Sequence, residues 1–148
     1  MASLAIDQAF LSTFINANLG LAIAHENLPY TPVTGTPYAE LIMLQNDITP
    51  WGLSQRNQSD GLFRIILRYP ANSGAIAAKQ MADRIFNAFQ MGSRVAFNHD
   101  SVGWYEYFFT DDYAVSATIT SLARQPGYAE SGWYKLVVSL GYRAFLTR

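Results

Sequence analysis

Apolar residues recur along this chain with two periods, four and two, and the switches between them mark its elements. Ile6, Phe10 and Phe14 stand four apart and share one face of a predicted opening helix. Ser3 is placed to cap that helix, Asp7 to meet the positive end of its dipole in the first turn, and Gly20 to stop it. Pro29, Pro32, Gly35 and Pro37 then make 28–37 turn-rich, because each proline disfavours helix at the residue before it. Residues 38–44 are apolar around one charge, Glu40, and predict a strand. Residues 45–60 are polar, hold Pro50 and Gly52 with an isolated Trp51, and read as a long loop.

Strict alternation returns at 62–69, the clearest strand. Phe63, Ile65, Leu67 and Tyr69 point one way, while Leu62, Arg64, Ile66 and Arg68 point the other. The arginines mark a wetter face, so the expectation is a sheet covered on the Phe63 side only. Pro70 lacks an N–H and ends the strand, and Asn72 or Ser73 is expected to cap a second helix. Ala78, Met81, Ala82, Ile85 and Phe89 form the buried stripe of that helix. Lys79, Gln80, Asp83, Arg84 and Asn87 form its wet side, and Gly92 closes it. Beyond it the pattern is mostly strand, at 94–97, 104–109, 114–122 and 133–146, the last long enough to bend at Gly141. Asp111 and Asp112 mark one turn and residues 125–132 another. The order of helix, strands, helix and strands predicts an α+β fold. Two main helices pack on a largely antiparallel or mixed sheet, in a single compact domain over 1–148.

Composition narrows the function classes. Half of the 148 residues are apolar, enough for a real core, which argues against disorder. A net charge of −1 leaves no electrostatic footprint for nucleic acid or an anionic membrane. With no cysteine there is no disulfide framework, zinc ribbon or thiol nucleophile. The first residues lack the basic flank and apolar run of a signal peptide, and no apolar run approaches the ~18 residues of a membrane span. The expectation is a soluble chain made in a reducing cytosol.

Candidate chemistry is sparse. His25 precedes a proline-rich turn and His99 sits in a polar stretch with Asp100; nothing gives them ligand spacing. Asp111 and Asp112 suit a weak cation site or a simple turn equally. Gly35 and Gly74 stand outside any phosphate-cradling motif, and Ser12, Ser54, Ser73 and Ser121 lack a nucleophile elbow. The expectation is no catalytic residue, no metal and no cofactor. The aromatic stretch 104–109 lacks the interleaved cations of a base-stacking surface and reads as core or interface. Two features lean toward assembly. One is the run at 45–60, where Trp51 and Arg56 are of the types enriched at interface hot spots. Trp51 is either such an anchor, with Arg56 and Asp60 as charge partners, or folds back on its own core. The other is the nine Tyr and nine Phe, residues that suit a subunit contact.

Residues 24–38, AHENLPYTPVTGTPY, resemble the small tail-terminator-like proteins of long-tailed bacteriophages in their N-x-P-Y-T-P run leading to G-T-P-Y. The resemblance resumes at 61–74, GLFRIILRYPANSG, with a strand opening on Gly-x-Phe and closing on an aromatic, Pro and Ala before a Gly-bearing turn. It continues through Ala82, Asp83, Arg84 and Ile85 to Phe89, and after that agrees in pattern rather than motif. It implies a structural virion protein, not an enzyme. Such a protein assembles in the host cytoplasm as a homo-oligomeric ring, typically sixfold, at the head-proximal end of the tail. Its partners would be other copies of itself, the tail tube protein and the head–tail connector protein. Genomic DNA would pass through the ring without specific binding, and no membrane is involved. A head–tail adaptor or neck protein is the neighbouring reading; a small cytosolic enzyme or ligand-binding domain is the reading from another class.

Overall fold

A computed structural model describes residues 3–52, 56–96 and 116–147. In chain order it has α1 (Ser3–Asn16), β1 (Ala22–Ala24), β2 (Tyr38–Gln45), β3 (Thr49–Trp51), β4 (Arg56–Pro70), α2 (Ile76–Ala88), β5 (Arg94–Ala96), β6 (Ser116–Arg124), β7 (Tyr128–Glu130) and β8 (Trp133–Thr147). The fold is α+β, with two helices and one mixed, curled sheet of eight strands ordered β1-β2-β4-β8-β6-β5. The short β3 lies beside the start of β4, and β7 beside the start of β8. Only the β1–β2 pair is parallel; the other described pairs are antiparallel.

Two 15-residue strands form the spine. β4 and β8 pair along their whole length, from Arg56 opposite Thr147 to Pro70 opposite Trp133. The alternation in β4 sends Phe63, Ile65, Leu67 and Tyr69 to one face, where the register sets Leu140, Val138 and Leu136 beside the first three. Ala39 and Leu41 of β2 continue that surface, and both helices pack on it. α1 contributes Ile6, Phe10 and Phe14; α2 contributes Ala78, Met81, Ala82 and Ile85, followed by Phe89. At the centre the Phe10 ring lies 5.2 Å from Phe63, 6.0 Å from Phe89 and 5.1 Å from Tyr142. Burying each phenyl ring is worth about 1.5–3 kcal/mol before entropy is counted, so this cluster dominates the core. This helix-covered side is the inner face; the opposite side, with Arg64 and Arg68, is the outer face.

Several local expectations are corrected. Residues 45–60 are not a long loop: β3 folds onto β4, and β4 begins at Arg56, six residues before the alternation becomes visible. Backbone pairing with β8 holds that polar run as a strand, overriding its weak propensity. α1 begins at Ser3, so Ser3 is helical rather than ahead of the helix, and no acidic residue lies in the first turn. Asp7 instead accepts a 2.7 Å hydrogen bond from Gln45, tying α1 to the end of β2. The N-cap of α2 is Ala75, with no side-chain cap. Ser73 donates to the carbonyl of Pro70 at 2.6 Å and closes the preceding turn instead. The expected turn at 125–132 contains β7, with the reversal confined to Ser131 and Gly132. The irregularity near Gly141 lies in its partner, since the β6 register shifts between Ile119 and Ser121. The strand expected at 104–109, the Asp111–Asp112 turn and His99 lie outside the described residues.

Candidate functional site

The structure sets Trp51 directly opposite Arg56 in the β3–β4 ladder, at one end of the spine. Pairing with β4 fixes Trp51 at the tip of β3, where it stays 48% exposed rather than folding into the core. Leu44, at 42%, and Ile48, at 37%, are exposed on the chain leading into that hairpin. Large apolar side chains left wet this close together on the chain suit a contact surface. The sequence does not single out Leu44 and Ile48, because nothing in it shows which way the end of a strand points.

Asp60 is already engaged. Its carboxylate accepts from Arg143 Nε at 3.0 Å and from Gln58 Nε2 at 2.9 Å, while its carbonyl accepts from the Asn46 N–H at 2.9 Å. Asp60 therefore braces β8 and the approach to β3 from within the chain. Beside it opens a shallow cleft of about 470 Å³, lined by Leu44, Asn46, Asp60, Leu62, Thr120 and Arg143. Two glycines shape its floor. A Cβ on Gly61 would collide with the Leu44 carbonyl and the Tyr142 ring, and one on Gly141 with the Ser121 hydroxyl. Only glycine lets these strands and side chains approach so closely.

Under Gly61 lies Tyr142, whose hydroxyl is buried. Burial pushes its pKa up to about 12; the nearby Ser59 hydroxyl pulls the other way, and the charges of Asp7 and Asp60 add to the rise. Neither the Tyr142 hydroxyl nor Ser59 Oγ has a hydrogen bond of good geometry, so their proximity only partly offsets desolvation.

The outer face carries a second arrangement. Arg68 donates from Nε to Glu40 at 2.8 Å and reaches Glu130 at 3.5 Å, and Lys135 lies 3.3 Å from Glu130. Lys135 also sits 5.5 Å from the centre of the Tyr128 ring, and contact with that tyrosine is the main cause of its raised pKa. Tyr30, Tyr38 and Trp133 extend this surface, with ring centres 4.8 and 5.2 Å apart in turn. The alternation in β4 signalled the arginines; their partners became visible only with the register. His25 and Glu26 line a separate cleft of about 380 Å³ beside Tyr30 and Glu40. Among the described residues no group of three or more His, Asp or Glu is placed to hold a metal ion, and no helix is long and apolar enough to cross a membrane.

A family model described as phage tail terminator protein matches residues 5–142, nearly the whole of this architecture. The chain belongs to the phage tail terminator family. A tail terminator of this family is a structural component of the virion tail. No curated protein matches. One solved structure superposes with a TM-score of 0.66 at 18% identity, covering 97% of this chain and 96% of its own. At that identity the likeness establishes the fold alone. It nonetheless shows this tail terminator's architecture recurring in a chain of nearly equal extent.

Proposed function

We propose that this chain terminates the phage tail: copies close into a ring, a hexamer, on the head-proximal end of the tube, stop its polymerisation and offer a docking surface to the head connector. The observation that carries the reading is the family match across residues 5–142. Termination requires each subunit to present two unlike surfaces, one complementary to the tube end and one that no tube subunit fits. The hairpin end with Trp51, Leu44 and Ile48 supplies an apolar surface of the right character for the first. Trp51 is the anchor there, with Arg56 opposite it in the ladder, and Asp60 holds the strands that present them. The rings assemble in the host cytoplasm, and DNA passes the finished ring without specific contact.

The test is electron microscopy of lysates from phage carrying a stop codon in this gene. Overlong tubes beside unattached filled heads are expected. Tubes of normal length would replace termination by an adaptor role in the neck. Complementation with Trp51→Ala and Arg56→Ala locates the contact. Restored tail length with both variants would remove the hairpin end from the interface and leave termination standing.

A further inference from the structure

The edge of the sheet has a step. β1 pairs with β2 only as far as Ala24 opposite Glu40, while β2 runs on to Gln45. Residues 41–45 of β2 therefore meet β4 on one side and, among the described residues, no strand on the other. The direction of the backbone groups follows from two contacts. The Leu44 carbonyl lies against Gly61, and the Asn46 N–H donates to the Asp60 carbonyl, so both residues turn their backbone groups to β4. Backbone direction alternates along a strand, so Met43 turns its N–H and C=O away from β4, into the lane that β1 has left. Such groups are a template for a further strand.

Two clefts flank this lane, one on each face of the sheet. On the outer face Tyr30, Tyr38, Glu40 and Ile42 line the cleft of about 380 Å³. On the inner face Asp7, Leu11, Leu41, Met43 and Phe63 line one of about 200 Å³. His25 and Glu26, both exposed, border the two clefts where the chain leaves β1. Successive side chains of an extended segment point to opposite faces. A segment lying in the lane thus sends neighbouring side chains into the two clefts while its backbone pairs with Met43. Sheet edges take up peptides in this way: backbone bonds hold the segment and alternate pockets select it.

The lining says what is selected. The inner cleft is mainly apolar, with Leu11, Leu41, Met43 and Phe63. Asp7, Glu26 and Glu40 supply the charge, and no Lys or Arg lines either cleft. Arg68 occupies Glu40 and Gln45 bonds Asp7, whereas Glu26 takes part in no ion pair among the described residues. Charge complementarity at this edge calls for a cation.

We infer that the lane beside residues 41–45 of β2 takes up an extended segment of a partner protein, with apolar side chains toward the inner cleft and a Lys or Arg beside Glu26. The segment adds a strand in line with β1. This contact does not depend on the ring reading and adds a second protein-binding surface to it.

The probes are two capped peptides of about six residues, the length of an ordinary strand, one alternating Val with Lys and one alternating Val with Glu. Each is titrated into the full-length chain and into Glu26→Lys, at low and moderate salt, with chemical shift and hydrogen exchange read at the Met43 amide. That amide is expected to exchange freely in the chain alone and to slow at least about tenfold at saturating Val–Lys peptide. The Val–Glu peptide binds at least about tenfold more weakly, and added salt narrows the gap. Glu26→Lys, a change on an exposed turn, reverses the preference. The proposal is overturned if neither peptide reaches Met43 at millimolar concentration, or if the two bind equally. A Met43 amide already protected at every dilution without peptide also overturns it, because the chain then covers its own edge. Protection that instead grows with chain concentration puts a second copy in the lane and overturns the assignment to a separate partner. None of these results bears on tail termination, which the stop-codon phage tests.

Discussion

The two faces of the sheet are built on the same strands and held by different physics. Leu67 and Arg68 are neighbours in β4, yet Leu67 is sealed under the helices while Arg68 reaches across strands to Glu40 and Glu130. On the inner face stability comes from area: rings and aliphatic chains contribute wherever they exclude water, and many arrangements of similar volume would serve. On the outer face it comes from geometry, because an ion pair counts only when register brings the right carboxylate opposite the right cation. The inner face makes the chain fold. The outer face ties strands together through the Arg68, Lys135 and Arg143 pairs.

The largest blow to this comparison should come from the inner face. Phe10→Ala removes the ring that touches Phe63, Phe89 and Tyr142, and should destabilise the chain by about 3–5 kcal/mol in chemical denaturation. A loss under about 1 kcal/mol would mean the aromatic centre is not the main support. Arg68→Ala tests the outer face and should cost less, about 1–2 kcal/mol, with the cost shrinking as salt is added. A cost as large as that of Phe10→Ala would erase the distinction between the faces.

The smallest effect at neutral pH, within about 1 kcal/mol, is expected from Tyr142→Phe, which removes a buried hydroxyl lacking a good partner. Its signature is alkaline. A tyrosine whose folded pKa lies near 12, above the unfolded value of 10.0, favours the fold while protonated. That contribution is fully present below pH 10 and drains away as pH rises toward 12. Tyr38 and Tyr69 are shifted upward too, chiefly by burial, so Tyr142→Phe should flatten the alkaline decline without abolishing it. An unchanged slope between pH 10 and 12 would show that the Tyr142 hydroxyl is not held in the dry interior.

What could be read from the sequence follows the same division. The stripes of α1 and α2 and the Phe63–Tyr69 alternation were legible because hydrophobic period is a local property, and so was the α+β class that their order implies. The beginning of β4 was not: Arg56, Asn57, Gln58, Ser59 and Asp60 carry no strand signal and are strand because β8 and β3 pair with them. The helix starts misled for a related reason, since Asp7 and Ser73 had nearer uses than capping. At the site, Trp51 and Arg56 were legible by residue type, and the ladder brings them opposite one another. The Arg143 bond that occupies Asp60 was not, because it joins residues 83 apart in the chain.

The spine also sets the pace at which the molecule is made. β4 and β8 meet across a stretch that runs from Pro70 to Trp133 at its shortest, and β4 can have no partner on that side until β8 has been synthesised. Closing so long a loop costs entropy before the ladder returns anything, so folding should begin where Pro70 meets Trp133 and zip toward Arg56 and Thr147. During that wait an apolar strand lies open along one edge, exposed to pairing with other nascent chains. The yield of native chain in an infected cell should therefore be set by a race between intramolecular zippering and aggregation, one that high expression and warm growth would tilt toward loss.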